Sequence, residues 1–429
     1  MARMPASDSS TSATETATPS SLYVHVPWCR SKCRYCAFYS IAEAGEGDED
    51  SKRATAKGAD GAAFAAACAA EIRARAPEGF APAAMYVGGG TPSILGAGGV
   101  SALCRALRGA VDLSAVREWT FEANPDSATA AVLDAMLAGG ATRLSLGAQS
   151  FDDATLRFLG RPHDAAAIRR AVAGARAAGF GSIGLDLIAG IPGLSPESWR
   201  RSLDEALALA PDHVSVYALT VESGTPLAED VAAGRVRMPP DDAVMDALAE
   251  AERVLGAAGL ARYEISNYAQ PGRECLYNLS VWRGEDYLGI GPSASSRLGL
   301  ERRTNAADTA AWLATGQGTD SPCSAAGAFA GQGTDSPAAP RPLHGAARER
   351  LSPREDRLER FLTGLRLAEG ADPARAAPED AARMEPEFRR LAMQGFVESV
   401  PNVAADAPTR WRLTARGREV ADAVALELV

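Results

Sequence analysis

Six short runs rich in β-branched and aromatic residues punctuate the first half of the chain: "SLYVHVPW" (21–28), "AAMYVGGG" (83–90), "REWTFEANP" (117–125), "RLSLGAQSF" (143–151), "SIGLDLIAGIPG" (182–193) and "HVSVYALTVESG" (213–224). Between them lie Ala- and Leu-rich stretches of helical period, among them 62–75, 128–138, 164–178 and 196–209. Alternating βα units of this length predict a parallel sheet with helices outside it. Six units suit an incomplete barrel. A closed eight-unit barrel and a doubly wound sheet use the same alternation.

How these runs end says more than how many there are. They finish in "CRSKCRYC", "GGGTP", "EANP", "GAQS" and "GIPG". Gly and Pro at one strand end merely turn the chain, but in parallel α/β folds the strand C-termini share one face, where ligands and catalytic groups collect. Five such endings predict a shared site.

The surrounding chain bounds the possibilities. At 429 residues and 46% hydrophobic, it holds enough apolar material for two or three domains. Residues 1–20 are Ser, Thr, Ala and Pro with little to bury and read as a disordered tail; 43–61 reads as a polar insertion. The N-terminus lacks the apolar run of a signal peptide, and no long apolar stretch suggests a membrane span. A net charge of -10 without a basic stripe argues against nucleic acid as a partner. Seven irregularly spaced cysteines do not read as a disulfide framework, which places the chain in a reducing cytoplasm.

Three of those cysteines, Cys29, Cys33 and Cys36, fall within eight residues. A structural zinc site takes four protein ligands, and His25 is the nearest candidate for the fourth. A four-iron cluster held by three thiolates leaves one iron without a protein ligand, open to another molecule. Three unligated core cysteines are the third reading.

"YVHVPWCRSKCRYCAFYS" resembles the cluster motif of radical S-adenosylmethionine (SAM) enzymes, with Tyr35 as the aromatic before the last cysteine. The resemblance continues through "YVGGGTPS", "FEANPD", "RLSLGAQSFDDATLRFLGRPHD", "GLDLIAGIPG" and "YEISNYAQPGRECLYNLSVWRGEDYLGIGPSASS", covering most of 21–300. The chain is similar to the oxygen-independent coproporphyrinogen III oxidase family and, more closely, to its heme chaperone branch, HemW. The resemblance implies a partial (β/α)6 TIM-type barrel of the radical SAM type. It also implies a [4Fe-4S] cluster on Cys29, Cys33 and Cys36, with SAM on the open iron. Tyr23, Gly89, Gly90 and Thr91 would line the methionine end of SAM; Glu122, Gln149, Arg161 and Asp186 match the other SAM-contacting positions. Without the resemblance, Glu122 and Asp186 read as helix caps or buried ion-pair partners, and Arg161 as a solvated loop residue.

Within the family, the dehydrogenases carry a fourth cysteine where this chain has Phe38; "CAFYS" sides with the chaperones, although Ala37 replaces their usual acid. The histidine that the chaperones carry in a His-Asn-x-x-Tyr-Trp motif is Tyr277 here, and a second family histidine is Ser295. Cys275 and Tyr277 are then the candidate substitute heme ligands, with packing residues as the alternative for both. The implied partners are heme-accepting proteins or a porphyrinogen substrate, and a reductant protein for the cluster. Membrane association would be peripheral, through the acceptors.

The rest of the chain divides as a core over 21–235, a family-specific extension over 236–312, an insertion over 313–350 and a C-terminal unit over 351–429. "ARYEISNYAQPG" reads as a strand and turn beside the core sheet, "LGIGPSASS" as a glycine-punctuated loop near adenine or substrate. The insertion contains "GQGTDSP" twice, at 316–322 and 331–337, and reads as a flexible duplication with an incidental Cys323. The C-terminal unit predicts helix, strand, strand, helix in a mostly helical, winged-helix-like arrangement, opening on a Ser-Pro-Arg-Glu helix start. Its lack of a basic face favours packing or partner docking over DNA binding.

Overall fold

The computed structural model describes residues 20–42, 60–315, 347–376, 378–400 and 409–428. The expected tail up to residue 19, most of the 43–61 insertion, both GQGTDSP copies and Cys323 lie outside the described residues. All six expected strands form: β1 Ser21–Val26, β2 Ala84–Gly89, β3 Glu118–Ala123, β4 Arg143–Gln149, β5 Ser182–Ala189 and β6 His213–Ala218. Each lies parallel to the next in chain order. A doubly wound sheet would reverse that order, and a closed barrel would join its last strand to its first. Neither happens, so the barrel is an incomplete one of six units.

Both open sides are extended instead. On β6 lies an antiparallel hairpin of β7 Ala261–Arg262 and β8 Asn267–Ala269. On β1 lies β9 Tyr287–Ile290, parallel to it, followed by the antiparallel β10 Ser295–Leu298, β11 Glu301–Thr304 and β12 Ala347–Arg350. The result is a 12-stranded sheet with β12 and β7 at its edges. Two expectations are corrected here. "LGIGPSASS" is not a loop but a strand, a turn and a strand. The 313–350 interval begins in the helix Thr309–Thr315 and ends in β12.

Alternation along the barrel strands decides what faces where. Leu22, Val24 and Val26, Phe121, Leu144 and Leu146, Leu185 and Leu187, and Val214 and Val216 are buried in one core with helical residues such as Phe64, Leu103, Leu133, Ile168 and Leu203. The intervening residues, among them Tyr23, Glu122, Ser145, Asp186 and Ser215, take the other face. The apolar face of every barrel strand thus points outward to the helices, and the interior is polar. Burying so many apolar side chains, at about 25 cal/mol per Å², gives the sheet its register: a one-residue slip would turn the carboxylates into the helix layer.

The outer helices start where the caps direct. Asp60 caps Gly61–Arg75, Thr129 caps Ala130–Gly139, Asp164 caps Ala165–Ala178, and Ser195 caps Pro196–Ala208, whose proline occupies the first turn. A further helix, Gly96–Arg108, was not expected. The C-terminal unit runs Pro353–Gly364, Pro378–Met393, the hairpin Val397–Val400 with Arg410–Leu413, then Ala415–Glu419 and Ala421–Glu427. Ser352 and Glu355 form the expected capping box at its start. This unit has its own core around Phe361, Phe388 and Trp411. It docks on the sheet through the buried Arg297, which pairs with Asp356 at 2.5 Å and Glu359 at 2.8 Å. No helix among the described residues is long and apolar enough to cross a membrane.

Candidate functional site

The polar face of the barrel encloses a cavity of about 630 Å³ that opens at the strand C-termini. Its lining brings together Cys29, Cys33, Cys36, Gly89, Gly90, Thr91, Glu122, Gln149, Arg161 and Asp186, residues spread over five strand ends.

The cysteine loop leaves β1 and is tied down at several points. Trp28–Cys29 pairs with Ile41–Ala42, closing the loop on itself. Arg34 donates from its backbone to Leu159 O at 3.1 Å, accepts from Leu227 N at 2.8 Å, pairs with Asp230 and lies over the Phe158 ring. The three thiols are free and face the cavity. Two of them receive donors: Thr91 Oγ1 reaches Cys29 Sγ at 3.5 Å, and an Arg161 Nη reaches Cys33 Sγ at 3.4 Å. Burial pushes the Cys36 thiol up, with Lys32 opposing.

His25 does not join them. Its Nδ1 meets Tyr23 Oη at 3.1 Å and its Nε2 meets Tyr39 O at 2.9 Å, so both ring nitrogens are engaged away from the thiols. Nor do three His, Cys, Asp or Glu side chains group as one metal ion would require, among the described residues. A zinc site closed by His25 is therefore not assembled. A cluster spreads its thiolates over separate irons and needs no such convergence on a single point.

The glycine run after β2 is dictated first by protein packing. A Cβ on Gly89, whose φ is +103°, would sit 2.6 Å from His25 Nδ1, and one on Gly90 would strike Trp28 O. Gly90 N and Thr91 N donate to Val26 O and Trp28 O, both at 2.7 Å, locking this turn under the cysteine loop. Glu122 accepts from Tyr86 Oη at 2.7 Å and Gly89 N at 3.3 Å. Loss of water pushes its carboxyl up to about 7, with Asp186 adding to the shift. Asp186, also raised by burial, accepts from Ser215 Oγ at 2.7 Å and Ser145 Oγ at 3.2 Å. Neither carboxylate is a helix cap or belongs to an ion pair within 4 Å among the described residues. Arg161 is likewise no solvated loop residue: its other Nη donates to Asn124 Oδ1 at 2.6 Å and Gly147 O at 2.8 Å.

Gln149 owes its position to a break in register. The β4–β5 pairing shifts between Gly147 and Gln149, and Gln149 adopts φ +66°, a left-handed conformation that is strained for a residue with a Cβ. The bulge turns its amide into the cavity.

Three expected residues do not line the cavity. Tyr23 stacks behind the wall on Tyr86 and Tyr277, at ring separations of 6.2 and 5.8 Å. Cys275 is wholly buried, its thiol directed to Glu118 Oε1 at 3.4 Å and pushed up to about 12 by burial. Tyr277 is the third ring of the aromatic stack; its neighbour Asn278 reaches the cavity. The segment "LGIGPSASS" contributes nothing to the lining. Conversely, the sequence reading passed over Tyr86, Asn124, Arg143, Ser145, Ser215 and Tyr217, all of which line it. For Arg143, Ser145, Ser215 and Tyr217 the signal was the polar residue at every second position of "RLSLGAQ" and "HVSVY".

Comparison with known proteins gives this geometry its lineage. The Radical SAM superfamily model matches residues 23–206. A protein of Mycobacterium tuberculosis named heme chaperone HemW is 38% identical over 289 residues, which cover 67% of this chain and 72% of that protein. The chain belongs to the HemW family. The Escherichia coli protein of the same name is 36% identical over 291 residues, covering 65% of this chain and 70% of its own. A mouse relative, radical S-adenosyl methionine domain-containing protein 1, mitochondrial, is 37% identical over 283 residues, 66% of this chain and 61% of its own. Among solved structures, the radical SAM enzyme coproporphyrinogen III oxidase (HemN) of Escherichia coli superposes with a TM-score of 0.72 at 24% identity. The match covers 96% of this chain and 90% of that one, a likeness of fold.

Radical SAM membership implies a [4Fe-4S] cluster and SAM. The residues present here suit the cluster: three free thiols on one anchored loop, and hydrogen-bond donors aimed at two of their sulfurs.

Proposed function

We propose that this chain is a heme carrier that holds a [4Fe-4S] cluster on Cys29, Cys33 and Cys36 and SAM beside it, and delivers heme to acceptor proteins in the cytoplasm. The observation that carries this reading is the convergence of three free thiols, two of them hydrogen-bonded by Thr91 and Arg161, on the cavity inside the barrel. When bound, the cluster would supply an electron to the SAM sulfonium; that chemistry is the cofactor's, and the protein's part is to orient it. Thr91 and Arg161 donate to the thiolate sulfurs, while the Gly89–Gly90 turn presents backbone to the methionine end. Glu122, Gln149 and Asp186 offer acceptors for an ammonium or ribose hydroxyls. Tyr23 acts from behind the wall, by fixing Tyr86 and His25.

Heme carriage comes from kinship with proteins named heme chaperones. Of the two proposed substitute ligands, Tyr277 packs against Tyr86 of the cavity wall and Cys275 is directed to Glu118; burial raises both groups, so either would have to lose its proton to hold iron. Phe38, 71% exposed where the dehydrogenases carry a fourth cysteine, supports the carrier over porphyrinogen oxidation. A reductant protein would feed the cluster.

Anaerobic incubation with coproporphyrinogen III, SAM and a reductant tests the assignment. No protoporphyrinogen is expected; its formation dependent on Cys29 would replace the carrier with a dehydrogenase. Heme titration of the reconstituted chain, and of Tyr277→Phe and Cys275→Ala, tests the ligand proposal, which fails if neither change weakens binding.

A further inference from the structure

The cavity reaches deeper than the cofactor residues. Arg143 opens β4, two residues before Ser145, about 7 Å further from the strand C-termini at the usual rise. It lines the cavity, is 2% exposed, and its Nε and one Nη have no hydrogen-bond partner in the protein. No carboxylate among the described residues comes within ion-pair distance of it. The acids that surround it at longer range are engaged elsewhere. Glu118 accepts from Leu276 N at 3.0 Å and Cys275 Sγ at 3.4 Å, Glu122 from Tyr86 and Gly89, and Asp186 from Ser145 and Ser215.

A second feature marks the same place. A Cβ added to Gly184 would lie 3.2 Å from the other Nη of Arg143, 3.4 Å from His213 Nδ1 and 3.4 Å from Ser145 Oγ. Three polar groups thus converge over a residue that has no side chain. His213 is fully buried, and its Nδ1 also lacks a protein partner. Its Nε2 meets Tyr263 Oη at 2.8 Å; with that hydroxyl donating, Nδ1 carries the proton and becomes a donor. A guanidinium keeps its charge under all conditions, and burying it unpaired is costly. Its planar fork matches a carboxylate, and the flanking hydroxyl and imidazole add donors of the same sense.

We propose that the deep end of the cavity is a carboxylate subsite, with Arg143 as its anchoring cation and Ser145 and His213 beside it. The acid belongs to a second ligand of the cavity, an acidic side arm as on a tetrapyrrole, because the methionyl carboxylate of SAM belongs at the cluster, beside the Gly89–Gly90 turn. This rests on the cavity reading above.

The test titrates the anaerobically reconstituted full chain with heme and its dimethyl ester, and with SAM as a control for the cluster end of the cavity. In the natural chain the acid, heme, binds more tightly than its counterpart, the ester. Arg143→Gln weakens that acid by about 10- to 100-fold, leaves its counterpart unchanged and so removes the preference. Arg143→Lys, which keeps the buried charge without the fork, recovers part of it and serves alone if Arg143→Gln does not fold: the acid then weakens and its counterpart does not. Three results overturn the proposal: no preference for heme over its ester in the natural chain, a preference that survives Arg143→Gln, or an equal loss for heme, its ester and SAM, which marks a purely structural arginine. If the natural chain binds heme in neither form, the carrier reading fails and the subsite with it; if it binds both forms equally well, only the subsite fails.

Discussion

Arg161 bridges the cysteine loop and the end of β3, one Nη donating to Cys33 Sγ at 3.4 Å and the other to Asn124 Oδ1 at 2.6 Å. Asn124 in turn donates to Thr91 Oγ1 at 3.0 Å, and Thr91 donates to Cys29 Sγ. Two thiols are therefore linked through a continuous chain of side chains. Arg161→Lys keeps the charge and loses the fork. Loss of a donor to the cluster's sulfur environment is expected to lower its reduction potential by about 10–30 mV, up to half of the 59 mV that marks a tenfold change. Potentiometric titration followed by electron paramagnetic resonance checks this; an unchanged potential would show that Arg161 only positions the loop.

The six described cysteines divide sharply by environment. Cys29→Ala, Cys33→Ala and Cys36→Ala should each abolish the brown colour and reduce iron from about four per chain toward zero after anaerobic reconstitution. Cys68 and Cys104 lie in the apolar core between the sheet and the helices, where burial holds both thiols neutral. Their alanine variants should retain full iron, with a stability loss of about 1 kcal/mol for the small cavity left.

Glu122 couples the site to pH. Its carboxyl titrates at about 7 in the folded chain against 4.5 as a model group. Between those values the folded chain holds a proton that the unfolded chain releases, so stability falls as pH rises through the window. Glu122→Gln should therefore melt higher than the natural chain at pH 8, by an amount equivalent to about 1–2 kcal/mol, and lose that advantage at pH 5. SAM affinity is expected to move oppositely, increasing with pH through 7 in the natural chain and staying flat in the variant. Thermal melts and SAM titrations at the two pH values check both.

At Gln149 the left-handed backbone separates strain from function. Gln149→Gly and Gln149→Ala both remove the amide from the cavity and should weaken SAM binding alike. The glycine variant should be more stable than the alanine variant by about 1 kcal/mol, because alanine keeps the conformational penalty. Denaturant melts of the pair measure the difference.

Docking of the C-terminal unit depends on Arg297. Removing the guanidinium by Arg297→Ala leaves Asp356 without one of its two cationic partners and Glu359 without one of its own, at a cost of about 3–5 kcal/mol. Denaturant unfolding is expected to show an earlier transition for the C-terminal unit, and reconstituted iron content should be unaffected.

Much of this molecule could be read before its structure. The strands were legible because each is a short run rich in β-branched and aromatic residues, and the four outer helices because Ala- and Leu-rich stretches between those runs keep a helical period. Gly96–Arg108 was not, since three of its first four residues are glycine, although Val100, Leu103, Cys104 and Leu107 follow helical spacing. β9 was missed for a related reason: it is four residues long, contains a glycine and pairs with β1 from 266 residues away in sequence. In the site, the thiols and glycines formed contiguous motifs, whereas Arg143, Ser145 and Ser215 are single residues within strands. What unites them is the inward face of a barrel, a property that needs the sheet to be assembled.

An open sheet of this size has two ends at which another polypeptide could add a strand. Here one end, β7, is two residues long, and the other, β12, reads Ala-Arg-Glu-Arg with its last three side chains exposed. Arg302 of β11 pairs with Glu349 at 2.7 Å along that border. Short and charged borders resist edge-to-edge aggregation. Among the described residues, recruitment of a client or a reductant by β-augmentation is thus disfavoured, and contact with other proteins falls to side-chain surfaces instead.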